Sequence, residues 1–494
     1  MGSEEPSGNR IDMDRIALLG SHQNQLTSWL SSHPEGHERG AIIFFRRLGR
    51  KVVGLPHSER FVSFDIELMD DDWILDSSEV HLRINMRKLP EMYFRCETEN
   101  LVLGFVHSHP SGVLHFSRKD DINEENLIHG LAGCNGIHSI LVSIIYCDGT
   151  WRGRIRTGKE PNEAKPVRHI SVLSDKLELH HITESKDSPE SLLRQEAAFG
   201  KPFNAKMGSL RAAVVGLGGT GSPVATMLAR CGIGELVLID GDDFEETNMN
   251  RVRGYKSSDV GHKKAESLKK FIDDLGLGIK VIAFPEFVGD SGEAIDSLSS
   301  ADVVFGCTDD VAGRDLLNHC IYYYGLILID SGLTGFIQEG EDGTPHLRDH
   351  RGRVSCILPE IGACLRCQGI VTDMKLKYEQ AIKDRPELAD LYPETLKREH
   401  YLIGGGNSAP GVGPFTSMTA DNALATFMNL IKPYRRLPSD LRQDNIWVDF
   451  VHMSIHSNEP AENPDCIYCR KKFLTLKEEN YRLDMAKLGK ISNV

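Results

Sequence analysis

The stretch Ala212-Ala213-Val214-Val215-Gly216-Leu217-Gly218-Gly219-Thr220-Gly221-Ser222 reads as a short buried strand, a glycine-rich turn and the start of a helix. Glycine lets backbone N–H groups come close to a phosphate, and a helix N-terminus favours negative charge there. Asp240 closes the next apolar run, Leu236 to Ile239, where it can bind ribose hydroxyls. Further out, Val281 to Phe284, Val303 to Phe305 and Leu326 to Ile329 are apolar runs with helical patterns between several of them. The alternation predicts an α/β, Rossmann-like, doubly wound parallel sheet from Ala212 onward. The glycine turn alone fits a nicotinamide or flavin dehydrogenase equally well.

Upstream the pattern differs. Val102 to Val106 and Ser139 to Tyr146 are short, strongly apolar runs, read as buried strands of a separate unit. Polar stretches with Pro and charge, Gly158 to Glu163 and Glu184 to Pro189, set the boundary. This divides the chain into 1–165, a linker at 166–190, and 191–494.

Directly after the first of those runs comes His107-Ser108-His109-Pro110. Two histidines at i and i+2 on an extended chain point to one side and can reach one zinc ion. Asp120 opens an amphipathic helix (Ile122, Leu127, Ile128, Leu131), three residues after Ser117. Two His and one carboxylate leave a fourth zinc position open, as a catalytic site requires.

The pattern H-S-H-P-x6-S-x-x-D behind a buried strand resembles the JAMM motif of the JAB/MPN metalloprotease family. The resemblance implies an MPN-type α/β metalloprotease domain in which His107, His109 and Asp120 hold a catalytic zinc. It implies an upstream glutamate as general base. Glu38, abutting Ala41-Ile42-Ile43, fits better than Glu35. It gives Glu38 the proton of the activated water and Ser117 a part in stabilising the tetrahedral oxyanion. The bond cleaved in such a family is an isopeptide, or the peptide after a ubiquitin-like C-terminus.

In the second half, Asp240-Gly241-Asp242 leads to Thr247-Asn248-Met249-Asn250-Arg251, then to Val260-Gly261-His262-Lys263-Lys264-Ala265 and Gly306-Cys307-Thr308-Asp309-Asp310, with Arg314 and Asn318 beyond. A dehydrogenase has no use for an Arg, a Lys and an Asp around the phosphates. An enzyme that directs attack on the α-phosphate of ATP does, because cations offset developing charge and a carboxylate holds Mg²⁺. These residues resemble the ThiF/MoeB/ubiquitin-activating superfamily of adenylating enzymes. By that resemblance Gly216, Gly218, Gly219 and Gly221 form the ATP loop, and Asp240 contacts ribose. Asn248, Arg251 and Lys264 contact phosphates, with Lys263 a neighbouring alternative to Lys264, and Asp309 sits at Mg²⁺. Arg194-Gln195 resembles the N-terminal Arg-Gln pair whose Arg reaches the ATP site of a partner subunit, which implies a homodimer. Val252 and Asp310 depart from the family's usual Gln and Asn.

Cys364-Leu365-Arg366-Cys367 and Cys466-Ile467-Tyr468-Cys469 supply four thiolates, a set that suits a closed, structural zinc. Between Gln368 and Asp465, where many superfamily members carry a catalytic cysteine, there is none. Cys231, Cys307 and Cys320 read as packed rather than reactive, and Cys356, on a strand before the first knuckle, is the best of the other cysteines as a thioester candidate. The expectation is adenylation without an obligatory thioester on this chain, the mixed anhydride passing to a separate conjugating or sulfur-donor protein. The charged segment Thr372 to His400 is read as a crossover that covers the bound tail.

Composition bounds the partners. With 57 basic against 71 acidic residues the formal charge is −14, which disfavours nucleic acid and anionic membranes. No apolar run is long enough to span a bilayer, and the first residues lack the pattern of a secretory signal. Eleven cysteines in 494 residues is no disulfide scaffold, and the expectation is a reducing cytoplasm. The combined reading is a bifunctional enzyme that trims or deconjugates a ubiquitin-like protein and adenylates its C-terminal carboxylate. Two other readings stay open: processing and adenylation of a ThiS- or MoaD-like sulfur carrier, and a non-catalytic scaffold binding a ubiquitin-like protein.

Overall fold

The computed structural model describes residues 13–49, 54, 57–180, 188–386, 411–436, 445–457, 460–466 and 468–469. The chain divides into two compact units. The first comprises Gln25–Ile170 with the chain up to Ala17, and the second Leu18–Asn24 with the chain from Ser171 onward.

The first unit is built on strands β1 (Arg15–Leu19), β2 (Gly40–Leu48), β3 (Arg60–Leu68), β6 (Val102–Ser108), β7 (Ile140–Cys147), β8 (Thr150–Thr157) and β9 (Glu160–Pro166), after the small hairpin of β4 (Ile74–Ser78) and β5 (His81–Ile84). In the sheet they run β1-β3-β2-β6-β7-β8-β9. β2 is antiparallel to β6, and β6 is parallel to β7. The central strands are apolar on both faces because both are covered: Ala41 to Phe45 and Leu141 to Val142 have no exposed surface. Helices Leu89–Thr98 and Arg118–Asn135 bury Leu89, Met92, Leu127, Ile128 and Leu131 in one apolar cluster with β2 and β6. Each such side chain contributes about 1.5–3 kcal/mol relative to exposure. Ile122, expected on the buried face of the second helix, is 52% exposed; Asp120 and Glu124 take the inward positions of its first two turns.

The stretch 166–190, read from sequence as a linker, holds two strands, β10 (His169–Leu173) and β11 (Leu177–His180), and lies across the division between the units.

The second unit carries an eight-stranded sheet of β12 (Arg211–Val215), β13 (Glu235–Ile239), β14 (Lys280–Phe284), β15 (Val303–Gly306), β16 (Ile327–Glu339), β17 (Pro345–Ile357), β18 (Asn445–Asp449) and β19 (Ser454–Ser457). Its order is β14-β13-β12-β15-β16-β17-β18-β19. The first five strands pair in parallel and the last four antiparallel, β16 belonging to both groups. β12 and β15 are adjacent while their chains run on to opposite sides, which makes the crevice at their carboxyl ends the switch point where doubly wound sheets bind ligands. The expected strands from Ala212 to Ile329 are all present. Among the described residues no helix is long and apolar enough to cross a membrane. The N-terminal residues read for a secretory signal lie outside the described residues. Of the expected crossover, a helix Asp373–Asp384 is present, while 387–400 lies outside the described residues.

Glu124 is fully buried in the first unit, and Arg154 Nε (2.8 Å) and Arg156 Nε (2.9 Å) converge on its carboxylate. Glu124→Ala leaves two guanidinium groups without that partner and should cost about 3–5 kcal/mol. The exposed Glu163→Ala should stay within about 0.5 kcal/mol of wild type. Urea midpoints of the full chain check this difference.

Candidate functional site

In the first unit the site grows from the register of β2 on β6. Gly40 pairs with His107. The pairing continues past the strand end, where Arg39 N–H donates to Ser108 Oγ and Ser108 N–H to the Arg39 carbonyl, both at 2.9 Å. Glu38 therefore stands opposite His109, on the face shared by His107 and His109. A further bond, Glu38 N–H to the Ser78 carbonyl at 2.8 Å, ties this segment to β4.

His107 Nε2 lies 3.0 Å from His109 Nε2 and 3.1 Å from Asp120 Oδ1, and His109 Nε2 lies 3.6 Å from Asp120 Oδ2. All three residues and Glu38 are buried. Asp120 is held by a capping box: Ser117 N–H donates to Asp120 Oδ2 (2.6 Å) and Asp120 N–H to Ser117 Oγ (3.2 Å). Burial would raise Asp120, but hydrogen bonds from His107 and His109 hold it well below the usual carboxylate range. Burial would likewise depress His109, yet its bonds to Asp120 and to the Val113 carbonyl hold it above its ordinary value. Burial raises Glu38, against the pull of His107 and His109.

The donor set fits a divalent metal. The three ligand atoms lie within 4.8 Å of one another. His109 Nδ1 lies 2.7 Å from the Val113 carbonyl, so it carries the proton and leaves a lone pair on Nε2. Glu35, the alternative base, is exposed and pairs with His37 at 3.6 Å. Ser117 is exposed with its oxygen already accepting the cap bond, which leaves its hydroxyl proton to donate.

In the second unit the glycine turn closes on itself. Gly216 has φ +85°, and a Cβ on Gly221 would lie 1.7 Å from the Gly216 carbonyl oxygen. Nothing lies within 4 Å of where a Cβ on Gly218 would point. Asp240, buried at the end of β13, accepts the Leu217 N–H (2.6 Å) and the Asp242 N–H (2.8 Å). Its carboxyl is raised by burial, with Lys264 pulling it down. Lys264 is buried and its Nζ donates to Asp242 Oδ2 at 2.9 Å. Lys263 instead donates to the Gly241 carbonyl and pairs with Asp243 nearer solvent. Arg251 Cγ and Cδ lie 3.3 Å from the Cβ position of Gly219, which brings this residue to the turn. Its guanidinium donates to the Thr247 carbonyl and Asn250 Oδ1. Asn248 is buried, its Oδ1 accepting the Glu245 N–H at 3.2 Å.

Asp309 follows β15 across the crevice and reaches solvent. Protein packed around it nonetheless raises its carboxyl, and the charges of Asp310 and Asp242 add to this against the pull of Arg314. A glycine turn with open space at Gly218, two cations and facing carboxylates fit a Mg²⁺ nucleotide. Arg194 lies exposed on the helix Leu193–Phe199, while Gln195 is anchored to Asn204 and the Cys231 carbonyl.

The two cysteine pairs come together. Cys364 and Cys466 sulfurs lie 3.6 Å apart, Cys367 and Cys469 3.4 Å, and Cys364 and Cys367 3.8 Å. Four thiols at this spacing fit a closed structural zinc. Cys356, the remaining thioester candidate, is buried in β17 opposite Ile329. The one exposed cysteine is Cys134, in the first unit. Glu379 had no motif to mark it; it is buried against the helix that follows Asp309.

The ThiF family model matches residues 192–467, more than half of the chain, and the chain belongs to that family. Curated relatives agree. An adenylyltransferase and sulfurtransferase MOCS3-1 of Zea mays is 30% identical over 174 residues, 34% of this chain and 36% of its own. A SAMP-activating enzyme E1 of Haloferax volcanii is 31% identical over 159 residues, 32% and 53%. The sulfur carrier protein ThiS adenylyltransferase of Escherichia coli is 34% identical over 124 residues, 25% and 49%. The chain thus spans about a third to a half of these relatives' own lengths. The family match begins at residue 192 and leaves the His107 site outside it.

Elemental analysis of the purified full chain should find about two zinc ions, one per donor cluster. Cys364→Ser should remove one and His109→Ala the other. A single zinc retained by both variants would count against the assignment.

Proposed function

We propose that this chain is a bifunctional enzyme acting on the C-terminal tail of a ubiquitin-like protein: the second unit adenylates the tail's carboxylate with ATP, and the first hydrolyses a peptide or isopeptide bond at the same terminus. The observation that carries the first activity is the gathering of the glycine turn, Arg251, Lys264 and Asp309 at the carboxyl ends of β12 and β15. Membership of the ThiF family supports it, as does a relative named for adenylylating a sulfur carrier protein.

In the second unit Asp240 would bind ribose hydroxyls with the lone pairs its two backbone bonds leave open. The turn amides, Asn248, Arg251 and Lys264 would bind the phosphates, and Asp309 would hold Mg²⁺. Lys264 comes from a contact with Asp242, so a phosphate would replace a carboxylate partner rather than water. Every cysteine of the second unit outside the zinc cluster is buried or partly buried, which supports transfer of the acyl group to a separate thiol, amine or sulfur donor. The exposure of Arg194 supports a homodimer in which it completes the partner's site.

In the first unit a zinc ion held by His107, His109 and Asp120 would supply Lewis acidity to a water and to the scissile carbonyl. Glu38, buried on the same face, would take the proton and return it to the leaving amine. Ser117 would donate its hydroxyl proton to the developing oxyanion. The two activities belong together chemically. Adenylation needs a free C-terminal carboxylate, and hydrolysis beyond a ubiquitin-like C-terminus exposes one. Joining both on one chain raises the local concentration of processed substrate.

Mass spectrometry of ubiquitin-like proteins incubated with the full chain, with and without ATP and with chelator, tests both steps. Trimming should need no ATP and stop with chelator, and the adenylate should need ATP. Glu38→Ala should keep pyrophosphate exchange on pre-processed substrate and lose it on an extended precursor; equal exchange on both would refute the coupling. Asp309→Asn should lower exchange by about 100-fold. Mixing the inactive Arg194→Ala and Lys264→Ala chains should restore up to about a quarter of the activity, because mixed dimers carry one intact site. No restoration would refute the shared site.

A further inference from the structure

The helix Asp373–Asp384 is fastened to the second unit at two points. Near its start, Arg366, between the two cysteines of the first knuckle, forks onto Asp315 at 2.8 and 2.9 Å and reaches Asp373 at 2.7 Å. The Tyr468 ring lies 5.0 Å from its guanidinium. Further along, Glu379 turns inward and is buried. One of its oxygens accepts the Val311 N–H at 3.2 Å and the other the Ala312 N–H at 2.8 Å.

Those two amides open the helix Val311–Tyr324, whose N-cap, Asp310, directly follows Asp309. The first N–H groups of a helix have no partner within it. Here Asp310 Oδ2 takes the Gly313 N–H at 3.0 Å, and Glu379 takes the two before it. Two carboxylates from different segments thus hold the turn that bears Asp309. The positive end of the helix, left bare, would also oppose a cation at Asp309. Lys383, one turn further along, forms ion pairs with both carboxylates, 3.7 Å from Glu379 and 3.8 Å from Asp310.

We propose that Glu379 is a positioning residue for the Mg²⁺–ATP site: its double bond to the start of the helix Val311–Tyr324 fixes the Asp309–Asp310 turn and offsets the helix's positive end, so that Asp309 can hold the divalent ion. The inference rests on the adenylation reading. It also gives the zinc knuckle a role, since Arg366 carries the helix that delivers Glu379.

The test is calorimetric titration of the full-length chain with ATP, in EDTA and over a series of Mg²⁺ concentrations, for wild type, Glu379→Gln and Glu379→Ala. Wild type should bind ATP more tightly as Mg²⁺ rises. Glu379→Ala should cut that enhancement by about fivefold while binding in EDTA changes by less than about twofold. Glu379→Gln, with one acceptor oxygen and no charge, should fall between, and it carries the test if the alanine variant does not fold. Equal weakening with and without Mg²⁺ would mark a purely structural cap and overturn the proposal, as would full retention of the enhancement. A wild type that binds no ATP would overturn the adenylation reading and this inference with it.

Discussion

The Gly216 carbonyl leaves no room for a side chain at position 221, where a Cβ would come within 1.7 Å of it. The second unit's site depends on that contact. It lets the chain leaving β12 fold back at once into a helix, so the turn amides face the crevice instead of being carried past it. The neighbouring strands supply the rest. Asp240 ends β13 and braces the turn through the Leu217 N–H, and Asp309 follows β15 on the other side. Because the parallel strands are buried on both faces, their ends are where polar groups gather, partly buried and paired with one another.

The first unit solves the same problem with a different periodicity. Alternation along β6 puts His107 and His109 on one face, and the register with β2 brings Glu38 to that face from 69 positions upstream of His107. Asp120 arrives from a helix start whose capping box uses the carboxylate as an acceptor. That box fixes one oxygen on the Ser117 amide and leaves the other toward His107. The strand fixes the two imidazoles, the register fixes Glu38, and the cap fixes Asp120.

The parts legible in the sequence were those in which chemistry and geometry are adjacent along the chain. His107-Ser108-His109, the glycine turn and the C-x-x-C pairs state their own spacing, and the parallel strands state their burial as unbroken apolar runs. What depended on long-range register was harder to read. Glu38 and Glu35 are both acidic and close to β2, and the β2–β6 pairing separates them, burying one and leaving the other in solvent. The strands β10 and β11 are short, five and four residues, and lie in a stretch whose flanking Pro and charge read as a linker. Ile122 looked like a core residue by spacing, but the buried Glu124 with its two arginines claims the inward face at that end of the helix. Glu379 is a lone acid in a charged helix, and only the meeting of two helices far apart in sequence gives it meaning.

The two centres differ in how far they are prepared before anything binds. In the first unit two of the three donors already have a second hydrogen bond, His109 with Val113 and Asp120 with Ser117, while His107 Nδ1 is buried with no hydrogen-bond partner among the described residues. On the proposed reading a metal entering there would meet two of its three donors already oriented. In the second unit the cations are engaged with local acceptors, Lys264 with Asp242 and Arg251 with Thr247, and Asp309 faces solvent beside other acids. On the proposed reading those contacts would exchange when a triphosphate and its metal arrive. The exchange would cost little because each cation would trade one anionic or carbonyl oxygen for another. The carboxylates crowded around Asp309 would gain more, since a divalent ion would remove their mutual repulsion. Nucleotide and metal should therefore be felt as one ligand, each making the site more favourable for the other.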